Sequence, residues 1–397
     1  MAIGRTERKA LLEERRALKM ARSVHAYVRG NTAKFYEWLA ASPIAKDIPE
    51  GPSIWICGDC HLGNLGPVAD ADHRIEVQIR DLDQTVIGNP ALDLIRLGLS
   101  LETAARSSDL PGVTTAKMIE AMIDGYLRAM TVRTTDDPPE PNVVRSVRTL
   151  AVGRRWKHLA RERIGDVDPE LPIGKRFWKL TGGERAAVEA LFRQPDISTR
   201  TLELAGLGPK SSLRVIDAAN WRKGCSSLGR LRYAVVIGVT GGKSGHEYFA
   251  LVDIKEAVAS VAPFKSDVAM PADPADRVVA GARALAPNLG ERMIAACLFD
   301  RPVVLRELAP QDLKIEVEQF SRKEAVAAAQ YLAFVVGVGH ARQLSDEQRT
   351  AWGKTLTRHR AANLDAPSWL WRSIVDLAAT HEAGYLEHCR RYAMSTA

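Results

Sequence analysis

Apolar residues recur at helical spacing in the first third of the chain and again in its last quarter. Spacing of three and four residues is typical of amphipathic helices that bury one face. Predicted helices cover residues 5–40, 91–106, 115–132, 322–342 and 366–392, and a basic helical stretch ends at Arg163. Two short apolar runs, at 54–57 and 73–79, are typical of strands.

The pattern changes near residue 205, where apolar and polar positions begin to alternate. Alternation predicts strands, at 213–223, 230–239, 246–255, 293–299 and 302–308, with one helix at 274–286. Glycines in 240–245 predict a hairpin turn between the second and third strands. We therefore predict an α+β protein in three segments: a helix-rich segment at 1–204, a β-rich segment at 205–310, and a hinge with returning helices at 311–397.

Carboxylates directly follow the two short strand-like runs. Asp59 follows the first run, and Asn64 comes five residues later. Asp81 and Asp83 follow the second run, and their spacing of two would place them on one face of a strand. Phosphoryl transfer from ATP uses such a set, because one carboxylate orients and deprotonates the acceptor hydroxyl while an amide oxygen and a second carboxylate hold Mg²⁺.

Asp59 is therefore the candidate catalytic residue. The candidate metal ligands are Asn64, Asp81 and, as the alternative to Asp81, Asp83. The competing interpretation is that Asp59 and Asn64 only cap a local turn, as these residue types often do.

Three motifs carry a resemblance to a known family. Gly58–Asn64, Asp81–Asp83 and Gly88–Leu94 resemble motifs of the aminoglycoside and choline phosphotransferases, a branch of the kinase-like fold. From about Arg22 to the C-terminus the amino-acid sequence also resembles a large uncharacterised bacterial family, domain-of-unknown-function family 2252. The resemblance implies ATP and Mg²⁺ as cofactors.

The predicted elements of 205–308 have the order of a kinase small lobe: strand, glycine loop, strand, strand ending in lysine, helix and two strands. Ordinary kinases place this lobe before the catalytic loop, whereas here it comes after. The resemblance therefore implies a two-lobed protein kinase-like fold with a circular permutation. Such a rearrangement is tolerable because an exposed connection can be cut, and the old termini joined, without disturbing the core.

The same resemblance assigns nucleotide-binding residues. Val252–Lys255 resembles the kinase strand whose lysine grips the α- and β-phosphates, and the loop 224–229 falls where kinases cover the phosphates. The candidate cofactor-binding residues are Lys255, Gly224, Ser226, Ser227, Gly229, Arg306 and Glu307. The hinge side chains Arg306 and Glu307 either reach ribose or substrate, or only join the lobes. The usual glutamate partner of the lysine is absent from the helix 274–286.

Other residues near the catalytic loop are given supporting roles. Arg29 either contacts phosphate or braces Asp59, with bracing favoured. Asp93 is expected to brace the loop as a hydrogen-bond acceptor, although a carboxylate in the first turn of a helix is nearly as common without that role. His61 and Gly63 are expected to shape the loop.

Three other motif assignments explain the sequence less well. Cys57–His61 has the Cys-x-x-Cys-His spacing of haem attachment, but haem gives no role to Asn64 or Asp81. Zinc through Cys57 and Cys60 would need a second ligand pair at a standard spacing. Gly241–Ser244 is similar to the end of a P-loop, yet Ile237 occupies the position of its first glycine.

Composition limits the classes of binding partner and the cellular location that we expect. Lys plus Arg number 55 against 48 Asp plus Glu, a mild net charge of +7, and no basic block is interleaved with aromatics. We therefore expect no nucleic-acid partner. The N-terminus has no apolar signal core, we expect no membrane-spanning run, and the five cysteines are scattered and odd in number. A reducing cytoplasm is the predicted location.

Together these features predict an ATP- and Mg²⁺-dependent phosphotransferase. A small-molecule acceptor is favoured because no segment between Asp81 and Asp93 resembles an activation loop. One alternative is a nucleotide-binding pseudokinase that acts as a sensor or scaffold, motivated by the missing helix glutamate. Another is a nucleotidyl (AMP) transferase on the same fold, with the nucleotide reversed.

Overall fold

A computed structural model gives the architecture of the chain. It describes residues 4–70, 72–131, 138–164, 169–204, 211–225, 227–241, 247–265, 268–313, 315, 321–358, 360–361 and 364–395. The helices are α1 (Arg5–Met20), α2 (Val24–Gly30), α3 (Thr32–Ala41), α4 (Ala91–Ser107), α5 (Gly112–Met130), α6 (Asn142–Val152), α7 (Trp156–Arg163), α8 (Gly182–Arg193), α9 (Pro195–Leu204), α10 (Pro274–Leu285), α11 (Pro287–Gly290), α12 (Arg322–Ala341), α13 (Asp346–Leu356) and α14 (Ser368–Ser395). The strands are β1 (Ile54–Ile56), β2 (Leu65–Ala69), β3 (Ile75–Ile79), β4 (Val86–Gly88), β5 (Phe177–Lys179), β6 (Ser212–Trp221), β7 (Arg232–Thr240), β8 (Glu247–Glu256), β9 (Met293–Leu298), β10 (Arg301–Glu307), β11 (Arg360–Ala361) and β12 (Leu364–Pro367).

The helical lobe is built on α5 and α12, which pack against each other along their lengths, with α4 and α14 beside them. A Cβ at Gly125 would lie 2.0 Å from the carbonyl oxygen of Gln330, so only glycine lets α5 approach α12 this closely. Two short antiparallel pairs, β1 with β4 and β2 with β3, lie against this helical core. They position the loops that carry the candidate carboxylates.

The β-rich lobe is one antiparallel sheet in the order β5-β6-β7-β8-β10-β9. Successive residues of β7 point to opposite faces. Tyr233, Val235 and Ile237 pack with α8 and α9, whereas Ala234 and Val236 pack with α7 and β5. Both faces are therefore covered, which explains the long buried run in β7.

The α+β class is confirmed by this separation of helices and antiparallel strands. The single helix predicted over 5–40 is wrong in detail, because it is three helices. The Ser23 hydroxyl accepts a hydrogen bond from the N–H of Ala26, and the Asn31 amide oxygen accepts one from the N–H of Lys34. Each side chain caps the start of a new helix and so breaks the apparent continuity. The sheet also includes β5, and the helices α8 and α9 pack against one of its faces. All three elements precede residue 205.

One described helix, α12, is long and apolar enough by length and composition to cross a membrane. About 61% of its most apolar window is buried inside the protein, chiefly against α5. That is the burial of a core helix, since a membrane helix would keep its apolar surface toward lipid.

Buried histidines should make folding sensitive to mild acid. His381 on α14 has no exposed surface, and burial, with the nearby charge of Arg96, lowers its pKa from 6.5 to about 3. The unfolded chain therefore binds a proton first, so stability present at pH 7 is lost as pH falls from 6.5 toward 3. From pH 7 to pH 5 this residue should remove on the order of 2 kcal/mol.

The measurement is urea unfolding at pH 7 and pH 5 for the wild type and for His381→Gln. The pH-dependent loss should be smaller in the variant, because its side chain does not titrate. An equal loss in both proteins would contradict the assignment.

Candidate active site

A cavity of about 470 Å³ lies between the sheet and the loops that follow β1 and β3. Its volume is in the range of small-molecule and cofactor sites. Nine basic and five acidic side chains line it. The basic ones are Lys19, Arg22, Arg29, Arg80, Arg163, Lys223, Arg232, Lys255 and Arg306, and the acidic ones are Asp81, Asp83, Asp253, Glu256 and Asp312. The positive surplus favours an anionic ligand.

The loop after β1 is held by Asp93 at the start of α4. Its carboxylate accepts hydrogen bonds from the N–H groups of Cys57, at 2.7 Å, and Gly58, at 3.0 Å. His340 Nε2 lies 3.1 Å from the same carboxylate, and the other ring nitrogen is 2.8 Å from the Tyr126 hydroxyl. The predicted bracing role of Asp93 agrees with these contacts. The loop turns at Gly58, whose φ is +73°.

Asp59 lies in this loop and is buried. Its two carboxylate oxygens accept hydrogen bonds from the Thr32 hydroxyl, at 2.8 Å, and from Arg96 Nε, at 2.9 Å. Burial raises the pKa of Asp59, against the opposing charge of Arg96 and the hydrogen bond from Thr32. Arg96, and not Arg29, braces Asp59, and Asp59 does not line the described part of the cavity wall. The favoured interpretation of Arg29 was therefore wrong.

Asn64 lies at the end of a 3-10 turn, Leu62–Asn64, and lines the cavity. Its amide nitrogen donates to the carbonyl oxygen of Asp59 at 2.9 Å. That bond fixes which end of the amide is the oxygen, the atom that a hard cation binds. The turn itself is held because the N–H of Leu62 donates to the Ser100 hydroxyl at 3.1 Å.

Asp81, Asp83 and Lys255 meet in the cavity, although Lys255 lies 174 positions after Asp81 in the chain. Lys255 Nζ lies 3.5 Å from Asp81 Oδ1 and makes a closer contact with Asp83. Burial alone would raise the pKa of Asp81, but the charges of Lys255 and Arg232 outweigh it and hold that pKa well below its usual range. Burial and the charge of Asp81 instead raise the pKa of Asp83, against the attraction of Lys255.

These residues fit a magnesium ion in part. Two carboxylates and an amide oxygen are ligands that Mg²⁺ accepts, with phosphate oxygens and water completing its shell. The described residues contain no cluster of three or more His, Cys, Asp or Glu side chains that would hold a metal without such a ligand. Cys57 and Cys60 are both buried free thiols.

Lys255 reaches the cavity from the centre of the sheet. It lies on β8 opposite Arg232 of β7 and Val304 of β10. No residue of α10 pairs with it among the described contacts, as expected from the missing glutamate. Instead Arg277 of α10 donates to the carbonyl oxygens of Asp83 and Val258, at 3.0 and 2.9 Å. By these bonds α10 supports the backbone of the loop that carries Asp81 and Asp83.

The glycine loop, residues 224–229, contributes to the wall of the cavity. Gly224 and Gly229 have φ of +97° and +92°, which side chains rarely adopt. Gly224 and Ser227 line the cavity, and the Ser227 hydroxyl accepts a hydrogen bond from Arg232 at 3.2 Å. The prediction for Ser226 falls outside the described residues.

The hinge side chains hold segments together. Arg306 donates to the carbonyl oxygen of Arg80, at 2.8 Å, and to Asp312, at 3.1 Å. Asp312 also binds Arg292 at 2.8 Å. Arg306 still lines the cavity, whereas Glu307 lines a small separate pocket against α9. Of the two predicted roles, these contacts favour joining the lobes.

The buried ion pairs Arg96–Asp59 and Arg232–Asp253 were not predicted from the sequence. Arg96 stands in the motif Leu-Asp-Leu-Ile-Arg, and an arginine directly flanked by apolar residues in a helix predicts a buried partner. Arg232 binds Asp253 on the neighbouring strand, with 2.8 Å between Nε and Oδ1. Arg232 and Asp253 start and end apolar runs, so a cross-strand register was needed to pair them.

Comparison with known proteins identifies the family. No curated protein and no solved structure matches the chain. The family model described as an uncharacterized protein conserved in bacteria, DUF2252, matches residues 8–391. This confirms the predicted resemblance to domain-of-unknown-function family 2252. Because the match spans nearly the whole length, the chain belongs to this family of uncharacterized bacterial proteins.

Proposed function

We propose that this protein is an ATP- and Mg²⁺-dependent phosphotransferase that acts on a hydroxyl group of a small molecule. The observation that carries the proposal is the meeting of Lys255 with Asp81 and Asp83 in a cavity that Asn64 also lines. A lysine, two carboxylates, an amide oxygen and the backbone of a glycine loop are the groups by which kinases hold nucleotide and metal.

The order of the strands supports a kinase-like small lobe. β6, the glycine loop, β7, β8, α10, β9 and β10 follow one another in the kinase order, and β7 pairs with β8. The loop and Lys255 are thereby brought to one side of the cavity. The helices of the other lobe come from both ends of the chain, as a circular permutation would require.

Each residue has a role in this proposal. Asn64 and Asp81 would hold Mg²⁺, which when bound neutralises phosphate charge. Lys255 and the N–H groups of the glycine loop would bind phosphate oxygens. Asp59 would orient the acceptor hydroxyl after that hydroxyl replaces Thr32, which now makes the same kind of hydrogen bond to it. Catalytic hydrogen bonds often form only in the complex.

Calorimetric titration with the ATP analogue AMP-PNP and Mg²⁺ tests the nucleotide site. Lys255→Met should weaken binding by about 10- to 100-fold, because charge-assisted hydrogen bonds contribute about 1.5–3 kcal/mol. Lys265→Met is the matched control, since Lys265 pairs with Glu50 at the surface, and it should bind like the wild type. Failure of the wild type to bind the analogue would refute the proposal.

A second candidate is a nucleotide-binding pseudokinase that serves as a sensor or scaffold. It is favoured by the position of Asp59, whose two oxygens are already occupied by Thr32 and Arg96. Turnover separates the two functions. A kinase should release ADP with a pool of small alcohols and give products heavier by one phosphate, whereas products heavier by AMP would indicate nucleotidyl transfer. Binding without any product would favour the pseudokinase.

A further inference from the structure

We infer that the acceptor is itself an anion, a small alcohol bearing a phosphate or carboxylate group, and that its charged group binds at the α1–α2 end of the cavity. This rests on the proposed function. The α1–α2 end is the part of the wall formed by Lys19, Arg22, Arg29 and His61.

Most basic side chains elsewhere in the cavity already face carboxylates. Arg232 binds Asp253, with 2.8 Å between Nε and Oδ1. Arg306 binds Asp312 at 3.1 Å. Lys255 contacts the carboxylates of Asp81 and Asp83. In these regions most of the positive charge is balanced within the protein itself.

The α1–α2 end differs because its charges are unbalanced. Within the part of the chain that the structure describes, the side chains of Arg22 and Arg29 form no ion pair and no hydrogen bond. Among the described residues, the Lys19 ammonium group donates only to a carbonyl oxygen, that of Gly224, at 2.8 Å. Two guanidinium groups and an ammonium group therefore share one wall, and none of the described contacts gives any of them a carboxylate partner, which is the arrangement of an anion site.

The backbone makes room for one of these groups. A Cβ at Gly63 would lie 2.6 Å from Nη2 and 2.7 Å from Cζ of Arg29, so the guanidinium rests directly on the glycine. Gly63 is adjacent to Asn64, the proposed metal ligand, and follows Asp59 in the same loop. An anion held by Arg29 would thus lie beside the groups that handle the acceptor, whereas the proposed phosphate ligand Lys255 comes from the sheet.

His61 adds a polar group to the same wall. The residue is only 4% exposed, and its Nδ1 atom has no hydrogen-bond partner among the described residues. Burial and the charges of Arg29 and Arg96 hold the pKa of His61 well below its usual range. His61 is therefore neutral at pH 7 and can exchange a hydrogen bond with a ligand without adding charge.

The test uses inorganic phosphate and acetate as probes, titrated into the protein alone and into the protein saturated with Mg²⁺ and AMP-PNP. Phosphate should bind together with the nucleotide. Arg29→Met should weaken phosphate binding by tenfold or more while changing nucleotide affinity less than twofold, and Arg29→Lys should lose less. Arg161→Met, on the exposed face of α7, is the matched control.

The possible results are distinguishable. Competition between phosphate and nucleotide would place Arg29 in the nucleotide site and overturn the inference, leaving the proposed function intact. Absence of binding for both probes, or binding that does not depend on Arg29, would also overturn it. Arg29-dependent phosphate binding by a protein that never binds nucleotide would support the anion site and refute the phosphotransferase.

Discussion

Asp81→Asn is expected to lower the affinity for AMP-PNP by about 100-fold in the presence of Mg²⁺ and to leave binding in EDTA almost unchanged. Substitution of residues that only contact a metal ligand already lowers metal affinity or activity by about 10- to 100-fold. Loss of a ligand itself should therefore lower the affinity by at least the upper end of this range. Asp81 is the better candidate ligand because 45% of its side chain is exposed, against 23% for Asp83.

The electrostatics favour the same residue. The low pKa of Asp81, due to the charges of Lys255 and Arg232, keeps this carboxylate ionised and ready for a cation. Asp83 makes the closer contact with Lys255, so Asp83→Asn should act through the lysine and weaken binding both with and without Mg²⁺. Calorimetry of both variants, with and without metal, checks this. A metal-dependent loss in Asp83→Asn alone would exchange the two roles.

Asp59→Asn is expected to lower the free energy of unfolding by about 3–5 kcal/mol, because it leaves the fully buried Arg96 without its counter-charge. The double variant Asp59→Asn/Arg96→Met should recover part of this loss, since it removes the stranded charge as well as its partner. Urea unfolding of the wild type, both single variants and the double variant gives the coupling energy, expected at about 1–3 kcal/mol.

Additive effects of the two substitutions would show that the pair contributes no coupling. The cycle also decides how loss of turnover is to be interpreted. If Asp59 acts only by holding the loop, the refolded double variant should regain activity along with stability. If Asp59 orients the acceptor, the double variant should be stable and inactive.

Much of the fold follows from local pattern. β6, β7, β8, β9 and β10 and the helices α4, α5, α10 and α12 were predicted within a few residues, because each is long and has clear periodicity. β5 was missed because it has three residues, Phe177–Lys179, too few for alternation to be recognised. The breaks at Ser23 and Asn31 were missed because a capping side chain interrupts a helix without altering the apolar spacing around it.

The candidate site was only partly predictable. Motif spacing singled out Asp81 and Lys255, and the structure places both in the wall of one cavity. The burial of Asp59 could not be predicted from the sequence, because the hydrogen bonds from Thr32 and Arg96 join Asp59 to two helices. No local sequence pattern specifies how those helices pack. The same holds for Arg29, whose place on Gly63 depends on how α2 meets the loop.

The pairing of α5 with α12 has a consequence during synthesis. α5 leaves the ribosome long before α12, since residues 131–321 lie between them. At about 5–20 residues per second, this delay is on the order of 10–40 seconds. Throughout it the apolar face of α5 lacks its partner, so the nascent chain should depend on chaperones that shield this surface until translation is almost complete.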